Sequence, residues 1–315
     1  MKFILLSDLH IRSTDPAGRM DDVVAAQKDK LHFILNYAHQ HKAIILQAGD
    51  WHNSKRDFRA LAMEIQILMK YQTVKIYAVA GQHDQYYRQQ NAPSNLSILF
   101  HAGFIEHPGV FFENDNIYIH GCGWGESMSE AHHKAKSLME VENLPYQILI
   151  THLPIAQEAL FSTHKYIDSK DYLKKYPAFN YTLCGDIHKS FLTTIRGRTV
   201  ANTGPLVRDG VDEMFHDPYF RIIEIKNGSL ESDEIIEIPH TKGEEIFSRE
   251  HLDQVQRRKD MVEQLHSIED EKNSDVGSKI TIEQAIASII EDNDIDAETA
   301  DYLYTKIAEG ESNDQ

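Results

Sequence analysis

Five short stretches of this 315-residue sequence place carboxylate, imidazole or amide groups where an apolar run ends. "KFILL" runs into "SDLH", with Asp8 and His10, and "AIILQ" runs into "AGDWHN", with Asp50. "VKIYAVA" leads to "GQHDQ", with Gln82, His83 and Asp84. "QILI" leads to "THLP", with His152, and "YTL" to "CGDIH", with Asp186 and His188. Singly, each has an ordinary reading: a strand-to-helix loop, a Gly-Asp turn, a half-buried histidine with a satisfied hydrogen bond. Their coincidence is what carries weight. In open α/β sheets ligands bind outside the carboxyl ends of the strands, and all five fragments occupy that edge.

Imidazoles mixed with carboxylates suit borderline divalent cations such as Mn, Fe or Zn, and these are enough for two ions sharing a bridging ligand. Two metals about 3.5–4 Å apart activate water, orient a phosphate and stabilise both attacking and leaving oxygens. The constellation therefore points to phosphoester hydrolysis.

The elements that position these groups are legible as a pattern. Short apolar runs alternate with helix-like stretches at 21–40, 57–71 and 127–142, which predicts an α/β layered fold with a largely buried sheet. From about 190 to 238 the pattern becomes strand and turn, a β-rich closing section with antiparallel pairing. After Pro239 the composition turns charged and helical, so residues 1–240 are expected to form the catalytic domain and 241–315 a helical C-terminal region. Within that region 249–266 is helix-like. Thr281 with Gln284 caps a helix whose Ile282, Ile286, Ile289 and Ile290 share a face, and Asp296 caps another carrying Ala300, Leu303, Tyr304 and Ile307.

The net charge of −17 argues at first against a nucleic-acid partner. Its distribution alters that reading. Residues 1–240 hold 24 basic and 29 acidic side chains, and residues 241–315 hold 8 and 20, so most of the excess lies in the tail. Two divalent cations would offset most of the −5 of the first segment. Asp8 interrupts the N-terminal apolar run well short of the roughly 7–15 residues of a signal peptide. No stretch approaches the roughly 20 apolar residues of a membrane span. Two cysteines, Cys122 and Cys184, give no disulfide framework, so a cytoplasmic protein without a membrane partner is expected.

The ordered set "DLH", "GD", "GQHD", "H" and "GDIH" resembles the calcineurin-like metallophosphoesterase superfamily, over residues 1–200. The resemblance implies a two-layer β-sandwich flanked by helices, here with a C-terminal helical extension, and two divalent metal ions, Mn or alternatively Mg. Asp8, His10, Asp50 and His188 would hold one metal. Asp50, Gln82, His152 and Asp186 would hold the other. His83 would protonate or steady the leaving oxygen, with Asp84 orienting it. Gln82 stands where the family has asparagine and Asp186 where it has histidine. Both changes fall on one metal site, which becomes richer in oxygen and should prefer a harder cation.

Protein phosphatases of the superfamily carry G-D-x-x-D-R-G at the second motif, which "GDWHNSKRD" lacks. "NTGPLVRDG", with Arg208, resembles a stretch of the SbcD-type nucleases of bacteria and phages. That resemblance implies DNA as substrate, with Lys55, Arg56 and Arg208 as candidate DNA contacts. It also implies an SbcC-type coiled-coil ATPase partner docked through the helices at 280–292 and 296–308, and a homodimer. The alternatives are a hydrolase of a smaller phosphodiester or phosphomonoester, and a non-catalytic scaffold subunit on the same fold.

Overall fold

The computed structural model of the protein describes residues 1–250, apart from 17, 87–91, 113–115, 140–144 and 160–164, together with residue 257. By contacts the chain divides into two units, Met1–Ile246 and Phe247–Gln315. The helices expected over 249–266, 280–292 and 296–308 lie outside the described residues.

The first unit is built on two sheets. β1 (Lys2–Leu6) leads to α1 (Val23–His41), β2 (Ile44–Gln47), α2 (Phe58–Leu68) and β3 (Ile76–Ala78). After α3 (Asn95–His101) come β4 (Val110–Phe112), β5 (Ile117–Cys122), α4 (Met128–Leu138) and β6 (Tyr146–Thr151). A separate two-stranded pair, β7 (Ile155–Ala156) and β8 (Ile167–Asp168), precedes α5 (Ser169–Lys175) and β9 (Tyr181–Cys184). β10 (Phe191–Ile195), β11 (Arg198–Asn202), β12 (Tyr219–Lys226) and β13 (Ser229–Glu237) follow. One sheet has the order β13-β12-β1-β2-β3, and the other β10-β11-β9-β6-β5-β4.

The strand period of two sorts the core. Phe3 and Leu5 of β1 face the space between the sheets, where they meet Ile148, Ile150, Leu183 and Ile223. Ile4 and Leu6 face the other way, onto α1 and α2 through Leu31, Ile34, Leu35 and Leu61. Because β1 is apolar from Phe3 to Leu6 it is buried on both faces there, and each such side chain contributes about 1.5–3 kcal/mol. α4 and α5 cover the second sheet, packing Met128, Ala135, Tyr172 and Leu173 on Leu149 and Val200. The result is two sheets face to face with helices outside, a mixed α/β fold consistent with the metallophosphoesterase architecture.

Helix limits follow the capping residues. Asp22 accepts from the Ala25 N–H at 2.8 Å to start α1, which stops at Lys42 with φ of 52°. Asp57 accepts from the Ala60 N–H at 3.0 Å to start α2.

The β-rich section from 190 to 238 pairs antiparallel within itself, β10 with β11 and β12 with β13, but its two hairpins join different sheets. β10 and β11 extend the second sheet, with β11 parallel to β9, whereas β12 pairs antiparallel with β1 and carries β13 along the first sheet. Turn residues reveal where strands end, but pairing across about 200 residues is set by which sheet edge is still open.

Candidate metal centre

β1, β2 and β3 are parallel neighbours, paired Leu6 with Gln47 and Gln47 with Ala78. β6 and β9 are parallel neighbours in the other sheet, paired Thr151 with Cys184. The five motifs therefore meet where the carboxyl ends of both sheets open on the same side. Four of the candidate ligands sit in the left-handed backbone region: Asp8 and His10 with φ of 47°, Asp50 with 50° and Asp186 with 85°. Non-glycine residues rarely adopt it, and such strain gathers at functional sites. The loops hold one another there, through Asp8 N–H to Gly49 O (3.2 Å), His10 N–H to Asp50 O (3.0 Å) and Asp186 N–H to Asp8 Oδ1 (3.0 Å). Two glycines admit this packing. A Cβ on Gly49, whose φ is +86°, would collide with the His152 ring, and a Cβ on Gly81 would collide with the Asp50 carboxylate.

The side chains converge. His10 Nε2 and His188 Nε2 face each other at 3.0 Å, and His10 Nε2 lies 3.8 Å from Asp50 Oδ2. On the other side of Asp50, His152 Nε2 is 3.4 Å from the same oxygen. Gln82 joins this side twice: its Oε1 is 2.7 Å from His152 Nε2, and its Nε2 donates to Asp186 Oδ1 at 2.8 Å. Among the described residues, three overlapping groups could each hold a cation: Asp8, His10 and His188; Asp8, Asp50 and His152; and His10, Asp50 and His83.

These residues fit two divalent ions. Asp8 Oδ2, Asp50 Oδ2 and His10 Nδ1 are buried without a hydrogen-bond partner. An unpaired buried carboxylate oxygen is costly unless a cation meets it. Proton affinities show the same demand. Burial pushes Asp8 up to about 6 and His10 down to about 3. Burial opposes the charge on His152, yet the nearby Asp50 carboxylate outweighs it and holds the imidazole up at about 10. Burial likewise raises Asp50, but His152 and His10 more than reverse this and bring it to about 2. Protons and divalent cations compete for these same lone pairs.

Surrounding groups fix the rings. His152 Nδ1 faces Ala48 O at 2.6 Å, and His83 Nδ1 faces Asn53 O at 3.0 Å. His188 Nδ1 bonds Glu213, whose other oxygen accepts from the Asp209 N–H at 2.6 Å. Glu213 was not singled out from sequence. It follows no strand end, and only the path of the 203–213 segment brings it beneath His188.

His83, expected as the leaving-group acid, is 43% exposed in its side chain, with Nε2 4.0 Å from Asp50 Oδ2. Asp84 does not contact its ring, contrary to the expected orienting role. Its carboxylate instead accepts from the N–H groups of Trp51 (3.0 Å), His52 (2.9 Å) and Gly81 (2.9 Å), tying the second and third motif loops together. The ring is oriented by the Asn53 carbonyl. Below this, Glu64 accepts from Trp51 Nε1 and lies 2.8 Å from His52 Nε2, an anchor hidden within α2.

The expected DNA contacts divide. Lys55 is half-buried and Arg56 exposed, both beside the Tyr86 ring. Arg208 is 2% exposed, and its guanidinium bonds the carbonyls of Thr241 and Met214. It cannot reach a duplex from there. "NTGPLVRDG" acts within the fold, where Asn202 Oδ1 accepts from the Gly204 N–H (2.7 Å) and from the Ser7 hydroxyl (3.0 Å).

Two facing sheets with helices outside and a paired Asp/His centre at their carboxyl ends define a phosphoester hydrolase of the dinuclear-metal class. The chain belongs to the calcineurin-like phosphoesterase superfamily, whose domain model matches residues 1–228. That family uses a dinuclear divalent metal centre, which the Asp/His groups here could hold. No curated protein matches the sequence. Among solved structures, the chain is similar to a putative 5'-nucleotidase from Staphylococcus aureus, with 14% identity and a TM-score of 0.49, over 82% of this chain and 57% of that one. It is similar to the calcineurin-like phosphoesterase YfkN of Bacillus subtilis, with 12% identity and a TM-score of 0.41, over 77% and 93%. It is also similar to Vps29 of Entamoeba histolytica, with 11% identity and a TM-score of 0.36, over 76% and 100%. None reaches a TM-score of 0.5, and the functional reading rests on the family and the site. Among the described residues no helix is long and apolar enough to cross a membrane.

Proposed function

We propose that this metal-dependent phosphoester hydrolase acts on phosphodiesters. The observation that carries the reading is the Gln82–Asp186 pair. With Asp186, the second group of ligands holds a carboxylate where the family resemblance places a neutral imidazole, so the centre is one charge more negative. A diester brings one negative charge to it and a monoester two, and the added carboxylate disfavours the second more strongly.

Asp8, His10, Asp50 and His188 would hold one cation, and Asp50, Gln82, His152 and Asp186 the other. When bound, the two ions supply Lewis acidity, making water a better nucleophile and neutralising charge on the phosphoryl group. The protein supplies the remainder. His83 Nδ1–H donates to the Asn53 carbonyl, so in the imidazolium form Nε2 carries the transferable proton and faces the centre. An unactivated alkoxide is a poor leaving group, and a proton donated at that point is worth about 10²–10⁴ in rate.

The finer reading, a DNA nuclease of the SbcD type working with a coiled-coil ATPase, is a second proposal. It is supported by the motif order and by the cations beside Tyr86, not by Arg208. The test is the ratio of kcat/KM for bis(4-nitrophenyl) phosphate to that for 4-nitrophenyl phosphate with Mn²⁺. A ratio above one supports the diester reading, and Asp186→His should lower it. A wild-type preference for the monoester would overturn it.

A further inference from the structure

We infer that Tyr86, Lys55 and Arg56 form a subsite for single-stranded nucleic acid on the leaving-group side of the centre, where Tyr86 stacks a base and the cations meet the adjoining phosphate. The inference deepens the diester reading and rests on it for the identity of the leaving side. Tyr86 stands three residues beyond His83, the residue placed at the leaving oxygen. Lys55 and Arg56 follow Asn53, whose carbonyl holds the His83 ring. The two arms of the cluster therefore start from the two halves of one contact.

Both arms are anchored. Gln85 Nε2 donates to Trp124 O at 2.7 Å, fixing the backbone just before Tyr86. Lys55 O accepts from the Asn95 N–H at 2.9 Å, and Asn95 Nδ2 donates to Asp57 O at 2.9 Å, so the first turn of α3 pins the basic segment on both sides. Held this way, Lys55 Nζ lies 5.9 Å and the Arg56 guanidinium carbon 5.3 Å from the ring centroid. Lys55 and Tyr86 are half-buried, Arg56 is exposed, and none of the three is part of the metal cluster. A solvated basic pair needs no such framing. An aromatic face flanked by cations matches what unpaired nucleic acid offers, a planar base next to a phosphate, and such stacking is indifferent to base identity. It also places positive charge at the rim of a chain whose net charge is −17.

The test is fluorescence anisotropy with a fluorescein-labelled single-stranded deoxyoligonucleotide and full-length Mn²⁺-loaded protein, in a His83→Ala background that blocks turnover. Tyr86→Ala should raise Kd about tenfold. Lys55→Ala with Arg56→Ala should flatten the plot of log Kd against log salt by about 0.7, the value for one phosphate no longer neutralised on a single strand. With His83 present, Tyr86→Ala should raise KM for oligonucleotide cleavage and retain kcat. Unchanged Kd and unchanged salt slope would overturn the subsite, as would a fall in kcat with KM unaltered. If the chain hydrolyses no diester at all, the reading of the centre fails, and the anisotropy result still decides the subsite.

Discussion

Gln82 Nε2 donates to Asp186 Oδ1 at 2.8 Å, while the same amide's Oε1 faces His152 Nε2 at 2.7 Å. The two positions that differ from the motif the sequence resembles thus touch each other. The longer side chain at 82 spans to the shorter acid at 186, so the two fit one another across one site.

The pair should consequently be energetically coupled. Gln82→Asn and Asp186→His, each alone, should lower kcat/KM for a diester about tenfold, and the double variant should lose less than the product of the two. A double-mutant cycle measures this, and strictly multiplicative losses would show the positions to be independent.

Glu213 fixes His188 through Nδ1, so removing its charge should loosen one cation and spare the other. Glu213→Gln should weaken the tighter or weaker Mn²⁺ step by about 10–100-fold in a calorimetric titration, with the remaining step unaltered. Two unaffected binding steps would leave Glu213 with a purely structural role.

Asp84 accepts three backbone N–H bonds from two catalytic loops while 1% exposed. Asp84→Ala should cost about 3 kcal/mol in chemical denaturation, because three buried donors lose a charged acceptor. A loss of activity with stability untouched would return Asp84 to the role expected from sequence.

Arg208 should behave as a fold residue. Arg208→Ala leaves the carbonyls of Thr241 and Met214 without their donor and should lower Tm, with KM for a diester unchanged. A raised KM at wild-type Tm would reinstate it as a substrate contact.

Lys30 supplies a pH test away from the centre. Its Nζ donates to Leu206 O at 2.6 Å, and burial, reinforced by Arg208 and Arg19, pulls the amine from 10.5 down to about 7. The folded pKa lies below the unfolded one, so from pH 7 to 10.5 the unfolded chain binds the extra proton and stability rises with pH. Below pH 7 both states are charged and the cost of burying the ammonium is felt in full. Lys30→Met should flatten the rise measured between pH 7 and 10; equal slopes in the two proteins would contradict the assignment.

What the sequence revealed was local. Apolar runs and the helix-like stretches at 21–40, 57–71 and 127–142 located strands and helices closely, and the groups at strand ends proved to be neighbours because a strand end is a fixed address in an α/β sheet. What it hid was non-local. The switch of β12 back to β1, the seat of Glu213 under His188 and the burial of Arg208 depend on contacts about 25 to 225 residues apart. Asp84 was misassigned because adjacency to His83 suggests a pair, yet neighbouring residues on a turn diverge, and the carboxylate found backbone donors instead.

The most direct test of the central claim is a calorimetric titration of metal-stripped protein with Mn²⁺, paired with hydrolysis of a dithymidine phosphodiester, whose alkoxide leaving group needs a proton, by wild type and His83→Ala. The structure predicts two ions per chain in both proteins, with hydrolysis by the variant reduced about 10²–10³-fold. One ion or none in the wild type, or undiminished hydrolysis by a fully loaded His83→Ala, would contradict it.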